Sequence, residues 1–176
     1  MTFGIDTQRL RLRELTLADA PLMLAVWNDP AFIRFVGDRG IRTVEDAQEA
    51  MTAGALRLYR DFGYGPYGVT LKGEGTSIGI CGLFRREGLD DPDIGFAILP
   101  GFCGNGYAYE ASQAVMDFAR NTLEIPYLAA IVSPANEASV GLIRKLGLRF
   151  ERMHRMTGDD EDVAIYGIRL QSEDTQ

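Results

Sequence analysis

The chain has 176 residues, enough to bury one hydrophobic core, and its 46% apolar and 24% charged residues match ordinary globular usage. This composition excludes disordered, fibrous and membrane-spanning classes. A formal net charge of −7 repels the phosphate backbone, so we expect no nucleic-acid partner. The same charge gives weak support for the approach of a cationic molecule, since solubility alone is the preferred interpretation of it.

The apolar stretches of the chain indicate its cellular location, and its cysteines indicate whether it binds a metal. The longest apolar stretches, Ile94 to Leu99 and Tyr127 to Val132, are strand-sized, and residues 1–10 lack the apolar segment of a signal peptide. We therefore expect a cytoplasmic protein with no membrane partner. Cys81 and Cys103 form no disulfide framework, and without C-x-x-C or histidine pairs no metal site is expected.

The first elements of the chain are a strand and two helices. Residues from Arg9 to Arg13 alternate polar and apolar side chains, which predicts a strand. Thr16 and Thr43 each precede a carboxylate three positions later, and this capping pattern predicts two helices. The first helix is expected to end at Asp29-Pro30 and the second near Arg60.

The remaining elements begin with three short strands joined by glycine-rich turns, which predict an antiparallel meander. These strands are Tyr67 to Leu71, Ile78 to Phe84 and Ile94 to Leu99. The following elements are a helix from Gly106 to about Thr122, a strand from Leu128 to Val132, a helix from about Asn136 to Lys145, and strands near Arg149 to Met156 and Val163 to Leu170. The order β-α-α-β-β-β-α-β-α-β-β predicts an α+β fold in one domain over residues 1–176, with a core at about 8–171 and fraying over Gln171 to Gln176.

A glycine-rich segment, Ile98 to Ala111, joins a predicted strand to the long helix. Gly104 and Gly106 allow a tight turn and a close approach to a ligand, and the free N–H groups of the helix start attract an anion such as pyrophosphate. From the glycines alone, a plain left-handed turn with a helix cap stays an alternative. A dinucleotide fingerprint is disfavoured, because Tyr109 occupies its third glycine position and the preceding strands are antiparallel.

The string from Leu99 to Ala111, Leu-Pro-Gly-Phe-Cys-Gly-Asn-Gly-Tyr-Ala-Tyr-Glu-Ala, resembles the acetyl-CoA loop of the GNAT N-acetyltransferases, and within them the RimJ/RimL branch. Cys103 stands where the family consensus has Gln or Arg. The opening Thr7 to Arg13, and downstream Ser133 to Ser139 with Lys145-Leu146-Gly147, are similar to further signatures of that family. The resemblance covers nearly the whole chain.

The resemblance implies a central, mostly antiparallel twisted sheet of about seven strands flanked by about four helices. It also implies acetyl-CoA as co-substrate, with its pantetheine arm between the strands that end at Leu99 and Val132, paired with the backbone from about Phe96 to Leu99. The implied CoA-binding residues are Ile98, Leu99, Cys103, Gly104, Asn105, Gly106, Tyr107, Ala108 and Asn136. Asn136 equally fits a helix N-cap, and both roles can coexist.

Acyl transfer requires a neutral amine, an oxyanion donor and a proton for the departing thiolate. The tyrosine that protonates the thiol in many GNAT proteins falls at Ile143 here, so Ser139 on the same helix is the expected replacement. Asp93, at a strand start, is the expected base that deprotonates the amine. The alternative for Ser139 is an ordinary helical serine, and the alternative for Asp93 is a solvated turn aspartate. Glu110 fits a residue whose charge complements the dipole of the following helix.

Five other residues are of types that occur at such sites. Tyr64 and Tyr67 fit either the acceptor site or packing against a strand edge, and Trp27 fits the core better than an acceptor wall. His154 has no evident partner in sequence, and Cys103 has no neighbouring histidine that would make it a nucleophile. We expect no chemical role for the last two.

The sequence thus predicts an enzyme, an N-acetyltransferase that moves the acetyl group of acetyl-CoA to a primary amine by direct attack in a ternary complex. The acceptor, either a protein N-terminal α-amine or a small-molecule amine, is left open, as is assembly into a homodimer. The alternative is a non-catalytic CoA-binding or regulatory module, which Ile143 in place of tyrosine keeps open. A ligand-free interaction domain is the third interpretation.

Overall fold

Eight strands form one mixed sheet in a computed structural model that describes residues 3–171, with the order β1-β2-β3-β4-β5-β6-β8-β7. Neighbouring strands are antiparallel except β5 and β6, which run parallel. The strands are β1 (Gly4–Asp6), β2 (Leu10–Glu14), β3 (Pro66–Leu71), β4 (Ser77–Phe84), β5 (Asp93–Ile98), β6 (Tyr127–Val132), β7 (Arg149–Arg155) and β8 (Asp162–Arg169). The predicted α+β class is confirmed.

Six α-helices lie within residues 3–171. They are α1 (Ala20–Trp27), α2 (Pro30–Phe35), α3 (Val44–Ala53), α4 (Ala55–Phe62), α5 (Tyr107–Asn121) and α6 (Glu137–Lys145). None of these helices has the length and apolar character needed to cross a membrane. The expected fraying of Gln171 to Gln176 concerns, from residue 172 onwards, positions outside the described residues.

The sequence prediction of the elements holds for most of the chain, and the sheet differs by one strand. The unpredicted strand β1 has only three residues, too few to display a period, and it pairs with β2 from Gly4 opposite Arg13 onwards. Helices also exceed the expected four. Pro30 starts α2, with Asp29 as N-cap, and Gly54 divides the predicted second helix into α3 and α4.

The hydrophobic core occupies both faces of the sheet. Buried residues of α5, such as Ala111 and Val115, pack with Leu83 of β4 on one face, whereas Met23 of α1 packs with Ile80 of β4 on the other. Strand β4 therefore carries buried side chains on both faces, since helices cover it from both sides. This packing fixes the central strands on which the candidate site depends.

Strands β5 and β6 separate soon after they meet. Their ladder contains a single pair, Asp93 opposite Ala129, next to a hydrogen bond from Ala129 N–H to Pro92 O of 3.0 Å. Beyond that point β5 keeps a ladder partner only in β4. The gap that the family resemblance implied between these two strands is therefore present in the fold.

Candidate active site

The open edge of β5 faces the gap with unpaired backbone groups. Leu99 N–H donates to Ile78 O on β4 at 2.8 Å, and because successive residues of a strand point their groups to opposite edges, the N–H groups of Phe96 and Ile98 point away from β4. Buried backbone donors require partners. An extended ligand lying along β5 would supply them, as an added strand does.

A cavity of about 390 Å³ occupies this gap. Its wall includes Phe96 and Ala97 of β5 and the end of β6 near Val132, whereas the half-buried Ile98 and Leu99 lie outside the wall. The opposite side is formed by α1 to α4. Its apolar part consists mainly of Met23, Trp27, Phe32, Phe35, Met51 and Leu58.

The glycine-rich loop follows β5 and leads into α5. Gly104 and Gly106 have φ values of 79° and 80°, in the left-handed region where other residues are strained. A Cβ added at Gly104 would meet nothing within 4 Å, so there the backbone conformation, and not crowding, requires glycine. The side-chain amide of Asn105 closes the loop, because its Nδ2 donates to Phe102 O at 3.2 Å and to Cys103 O at 3.3 Å.

The start of α5 presents free donors to solvent. Glu110 N–H bonds to Gly106 O at 3.0 Å, whereas the N–H groups of residues 104 to 109 have no acceptor within the described part of the chain. Such donors, with the positive end of the helix dipole behind them, suit a phosphate or pyrophosphate. The half-buried Tyr107 and Ala108 form the first turn, and the exposed Cys103 precedes it.

Glu110 joins the start of α5 to the N-terminal segment of the chain. Its Oε1 accepts from Thr7 Oγ1 at 2.6 Å and from Arg9 N–H at 2.8 Å, and its Oε2 accepts from Arg9 Nε at 2.6 Å. Burial raises the pKa of Glu110, but these hydrogen bonds outweigh it and leave the pKa below its usual value. The Arg9 guanidinium also lies 4.5 Å from the ring centre of Tyr107. Glu110 is therefore an anchor as well as an acid in the first helical turn.

Asn136 and Ser139 lie together on the cavity wall. Asn136 caps α6, since its Oδ1 accepts from Ser139 N–H at 3.2 Å, which confirms the N-cap interpretation. The Ser139 hydroxyl has no hydrogen-bond partner among residues 3–171, although the side chain is half-buried. Ile143 lies one turn further on the same wall and is buried. Ser139 is thus the hydroxyl that α6 presents to the cavity.

Asp93 lies where β5 and β6 meet, and its side chain is only 1% exposed. Its carboxylate accepts from Arg86 Nε at 3.0 and 3.2 Å. Burial raises the pKa of Asp93 above its usual value, although the charge of Arg86 opposes this shift. The alternative of a solvated turn residue is therefore wrong. Arg86 lies on the cavity wall and Asp93 does not, so the carboxylate contacts the cavity through the guanidinium.

The other residues weighed from sequence lie mainly in the core or at the surface. Tyr64 and Tyr67 are buried and do not line the cavity, which supports packing over the acceptor site. Trp27 belongs to the core and to the cavity wall at once. His154 is half-buried on β7. Partial burial, with the charge of Asp29, raises the pKa of Cys103, which argues against a reactive thiolate.

Sequence reasoning missed the charge of the cavity wall. Four arginines line it, from the loop after α2, from α4 and from the two residues that follow β4: Arg39, Arg57, Arg85 and Arg86. They come from three separate segments, and no motif or spacing joins them. The adjacent pair Arg85-Arg86 directly after a strand was the one local signal available.

Comparisons with known proteins agree with this geometry. Residues 9–149 match the Acetyltransferase (GNAT) domain family. The chain is 27% identical to the uncharacterized N-acetyltransferase YoaA of Bacillus subtilis (strain 168), over 93% of this chain and 95% of that protein. The acetyltransferase from Agrobacterium tumefaciens str. C58 superposes with a TM-score of 0.80 at 27% identity, covering 96% of this chain and 95% of that one.

A further solved structure is RimL, a ribosomal L7/L12 alpha-N-protein acetyltransferase, in complex with coenzyme A. It superposes with a TM-score of 0.81 at 19% identity, over 95% of this chain and 98% of that chain, so its likeness concerns the fold. The family match spans most of the present chain. The chain therefore belongs to the GNAT acetyltransferase family and is an N-acetyltransferase that uses acetyl-CoA.

Proposed function

We propose that acetyl-CoA binds in the gap between β5 and β6 and that a primary amine attacks its thioester there, within a ternary complex. The observation that carries this proposal is the single-pair ladder between the two strands, which leaves one edge of β5 open beside the cavity. The pantetheine arm pairs with the backbone from Phe96 to Leu99. The N–H groups of Phe96 and Ile98 are the candidate oxyanion donors.

The pyrophosphate of CoA is assigned to the loop before α5. The free N–H groups of residues 104 to 109 support this assignment, because they need no particular side chain at Cys103. The proposed cofactor-binding residues are Ile98, Leu99, Cys103, Gly104, Asn105, Gly106, Tyr107, Ala108 and Asn136. Asn136 keeps its capping bond in this arrangement and offers its amide N–H groups to the pantetheine.

Proton transfer is assigned to two side chains. The Ser139 hydroxyl donates to the departing sulfur, and its position on the cavity wall with no other partner among the described residues supports this role. Asp93 stays the proposed base. Because its carboxylate is held by Arg86, any proton it accepts from the cavity passes beside that guanidinium. A second role, holding Arg86 in place, is equally open to it.

The acceptor is a primary amine, either a protein N-terminal α-amine or a small molecule. The string from Leu99 to Ala111 supports the RimJ/RimL-like branch. The family match favours an enzyme over a non-catalytic CoA-binding module, whose one supporting observation is the apolar Ile143, which supplies no phenol to the thiol. Two lesser proposals are a cytoplasmic location and a homodimer, the latter tested by sedimentation equilibrium.

The CoA site is tested by thermal shift with CoA and by release of free thiol from acetyl-CoA. Gly106→Val places a β-branched residue at φ 80° and should abolish most of the CoA-induced shift. Gly101→Val is the matched control in the same loop, since a Cβ there meets nothing within 4 Å. A CoA shift without amine-dependent thiol release would favour the binding module, and no shift in the wild type would overturn the CoA site.

A further inference from the structure

The cavity has the opposite charge to the rest of the molecule. The chain as a whole carries a net charge of −7, yet the described cavity wall holds four arginines and a single carboxylate, Asp159. Arginines concentrated on one wall of an acidic protein indicate a site for an anion. The charge of the whole chain therefore does not describe the surface that an acceptor meets.

Arg39 has no carboxylate partner among residues 3–171. Its guanidinium lies 5.8 Å from the ring centre of Trp27 and 5.9 Å from that of Phe32. Arg39 is exposed overall, but desolvation of its guanidinium, with the charge of Arg86, lowers the pKa of Arg39. Asp93 is the single carboxylate bonded to Arg86, and it makes no ion pair with Arg39. A second anion would relieve the repulsion between the two guanidinium groups.

The loop that carries Arg39 is held in place by its own hydrogen bonds. Asn28 Nδ2 donates to Ile41 O at 2.8 Å, and Arg42 Nη1 donates to Asn28 Oδ1 at 2.7 Å. Asp38, the acid next to Arg39, instead accepts from Arg42 Nη2 at 2.7 Å. The neighbouring carboxylate is thus engaged elsewhere, and Arg39 stays available to a ligand.

The remaining arginines have neutral partners. Arg57 Nε donates to Ala53 O at 3.1 Å, and the Arg85 guanidinium lies 5.9 Å from the ring centre of Phe62. Between the arginines the wall is aromatic and apolar. Its rings belong to Trp27, Phe32, Phe35, Phe84 and Phe96. A ligand that fits this wall needs both an apolar body and a negative charge.

We infer that the acceptor is a small primary amine that carries a carboxylate on an apolar body, with the carboxylate bound by Arg39 and Arg86. The inference rests on the proposed function. The amine nitrogen forms a bond to the thioester carbon as the carbon–sulfur bond breaks, and the proton lost by the amine ends on the CoA thiol. The arginines orient the carboxylate and exchange no proton. A polycationic amine would meet four like charges on this wall.

Matched acceptors test the inference through the thiol-release assay. L-phenylalanine is compared with L-phenylalaninamide, and 4-(aminomethyl)benzoate with 4-(aminomethyl)benzamide, with spermidine as the polycation. We expect the acid of at least one pair to exceed its amide by roughly tenfold or more in kcat/KM, the scale of a lost charged hydrogen bond. Amides or spermidine turned over as well as the acids would overturn the inference.

Variants separate recognition of the carboxylate from structural support. Arg39→Gln should lower the acid-to-amide ratio about tenfold, mainly by raising KM for the acid. Arg60→Gln, an exposed arginine of α4 paired with Asp61 and outside the cavity wall, should leave the ratio unchanged. An equal loss towards acid and amide in Arg39→Gln would contradict a contact with the carboxylate.

If no amine in the panel releases thiol, a binding measurement tests the acceptor class instead. Calorimetry on CoA-saturated protein then compares N-acetylphenylalanine with N-acetylphenylalaninamide, and roughly tenfold tighter binding of the acid is expected. Equal binding, or binding of neither compound, overturns the proposed acceptor class. A CoA-induced thermal shift in the same protein would still support the proposed function. Absence of that shift overturns the proposed function, and the inference with it.

Discussion

At the scale of single residues, the side chains proposed for catalysis differ in how much the fold depends on them. Ser139 has a hydroxyl with no partner among the described residues, whereas Asp93 is buried in a bond to Arg86. Replacing the first should change chemistry alone. Replacing the second should change chemistry, the position of Arg86 and stability together.

Ser139→Ala should lower kcat by roughly 10- to 100-fold and leave the melting temperature unchanged, because the hydroxyl supports catalysis without supporting the fold. Steady-state kinetics with acetyl-CoA and thermal denaturation measure the two effects. Ala138→Ser, which moves a hydroxyl to the exposed neighbouring position, is the control and should change neither. A kcat equal to that of the wild type in Ser139→Ala would remove Ser139 from the mechanism.

Asp93→Asn separates a base from a residue that positions Arg86. If Asp93 is the base, Asp93→Asn should lower kcat by about 100-fold. The variant should also lose the fall in activity at acidic pH, because in the wild type that fall reflects protonation of Asp93. Since burial raises the pKa of Asp93, that fall should lie above the ordinary value of 3.8. A positioning role predicts a raised acceptor KM and an unchanged pH profile. A variant that matches the wild type would exclude both roles.

At the scale of elements, the site depends on how the start of α5 is held. Helix α5 reaches the N-terminal segment through Glu110, which bonds Thr7 and Arg9 about a hundred positions earlier in the chain. The loop before α5 must adopt two left-handed glycines, and its shape is kept by the Asn105 amide. The free N–H groups of the loop before α5 are therefore positioned by local and by distant bonds.

Glu110→Gln should destabilise the protein by about 1 kcal/mol at neutral pH, since it removes the charge from three hydrogen bonds at a partly exposed site. The folded pKa of Glu110 lies below its ordinary 4.5, so its stabilisation is complete above that value and is lost as the pH falls through the folded pKa. Urea unfolding of both proteins between pH 3 and 7 measures the difference.

Glu137→Gln provides the control, because Glu137 occupies the first turn of α6 and is exposed, with no ion pair to other described residues. Its effect on the free energy of unfolding should be a few tenths of a kcal/mol, of the size expected for a charge at a helix start. A Glu110→Gln difference that did not shrink on acidification would show that its carboxylate is not the stabilising group.

At the scale of the whole molecule, two electrostatic effects oppose each other. The net charge of −7 repels anionic acetyl-CoA at long range, whereas the arginines of the cavity attract a carboxylate at short range. Screening by salt acts on both, most strongly beyond the Debye length of about 8 Å at physiological ionic strength. The two substrates should therefore respond to salt differently.

Raising the salt from about 50 to 500 mM should increase kcat/KM for acetyl-CoA, because repulsion at a distance is screened. The KM of a carboxylate acceptor should rise over the same range, as its contacts with the arginines weaken. Kinetics with one substrate varied and the other saturating separate the two responses. A neutral amide acceptor provides the reference, and an equal salt response of acid and amide would contradict the prediction.

Local patterns in the sequence determined most elements and the glycine-rich loop before α5. Alternating residues of Arg9 to Arg13, the capping threonines and the glycines at 104 and 106 each act within a few positions, where backbone geometry follows from residue type. The glycine-rich loop and the downstream Ser133 to Gly147 segment were also sufficient to identify the family. The helix break at Gly54 and the strand β1 were not predicted from the sequence. A single glycine does not define a helix end, and three residues are too few to show the alternation of a strand.

Only the tertiary structure decided which charges meet. The bond of Glu110 to Arg9, the burial of Asp93 and the arginine-lined cavity all join segments that no spacing relates. Composition gave only weak support for a cationic ligand, since it averages charge over the whole surface. Folding placed arginines from three segments on one wall of the cavity. The effect of a charge on a ligand depends on its distance from the ligand and on its burial, and neither quantity can be read from the sequence.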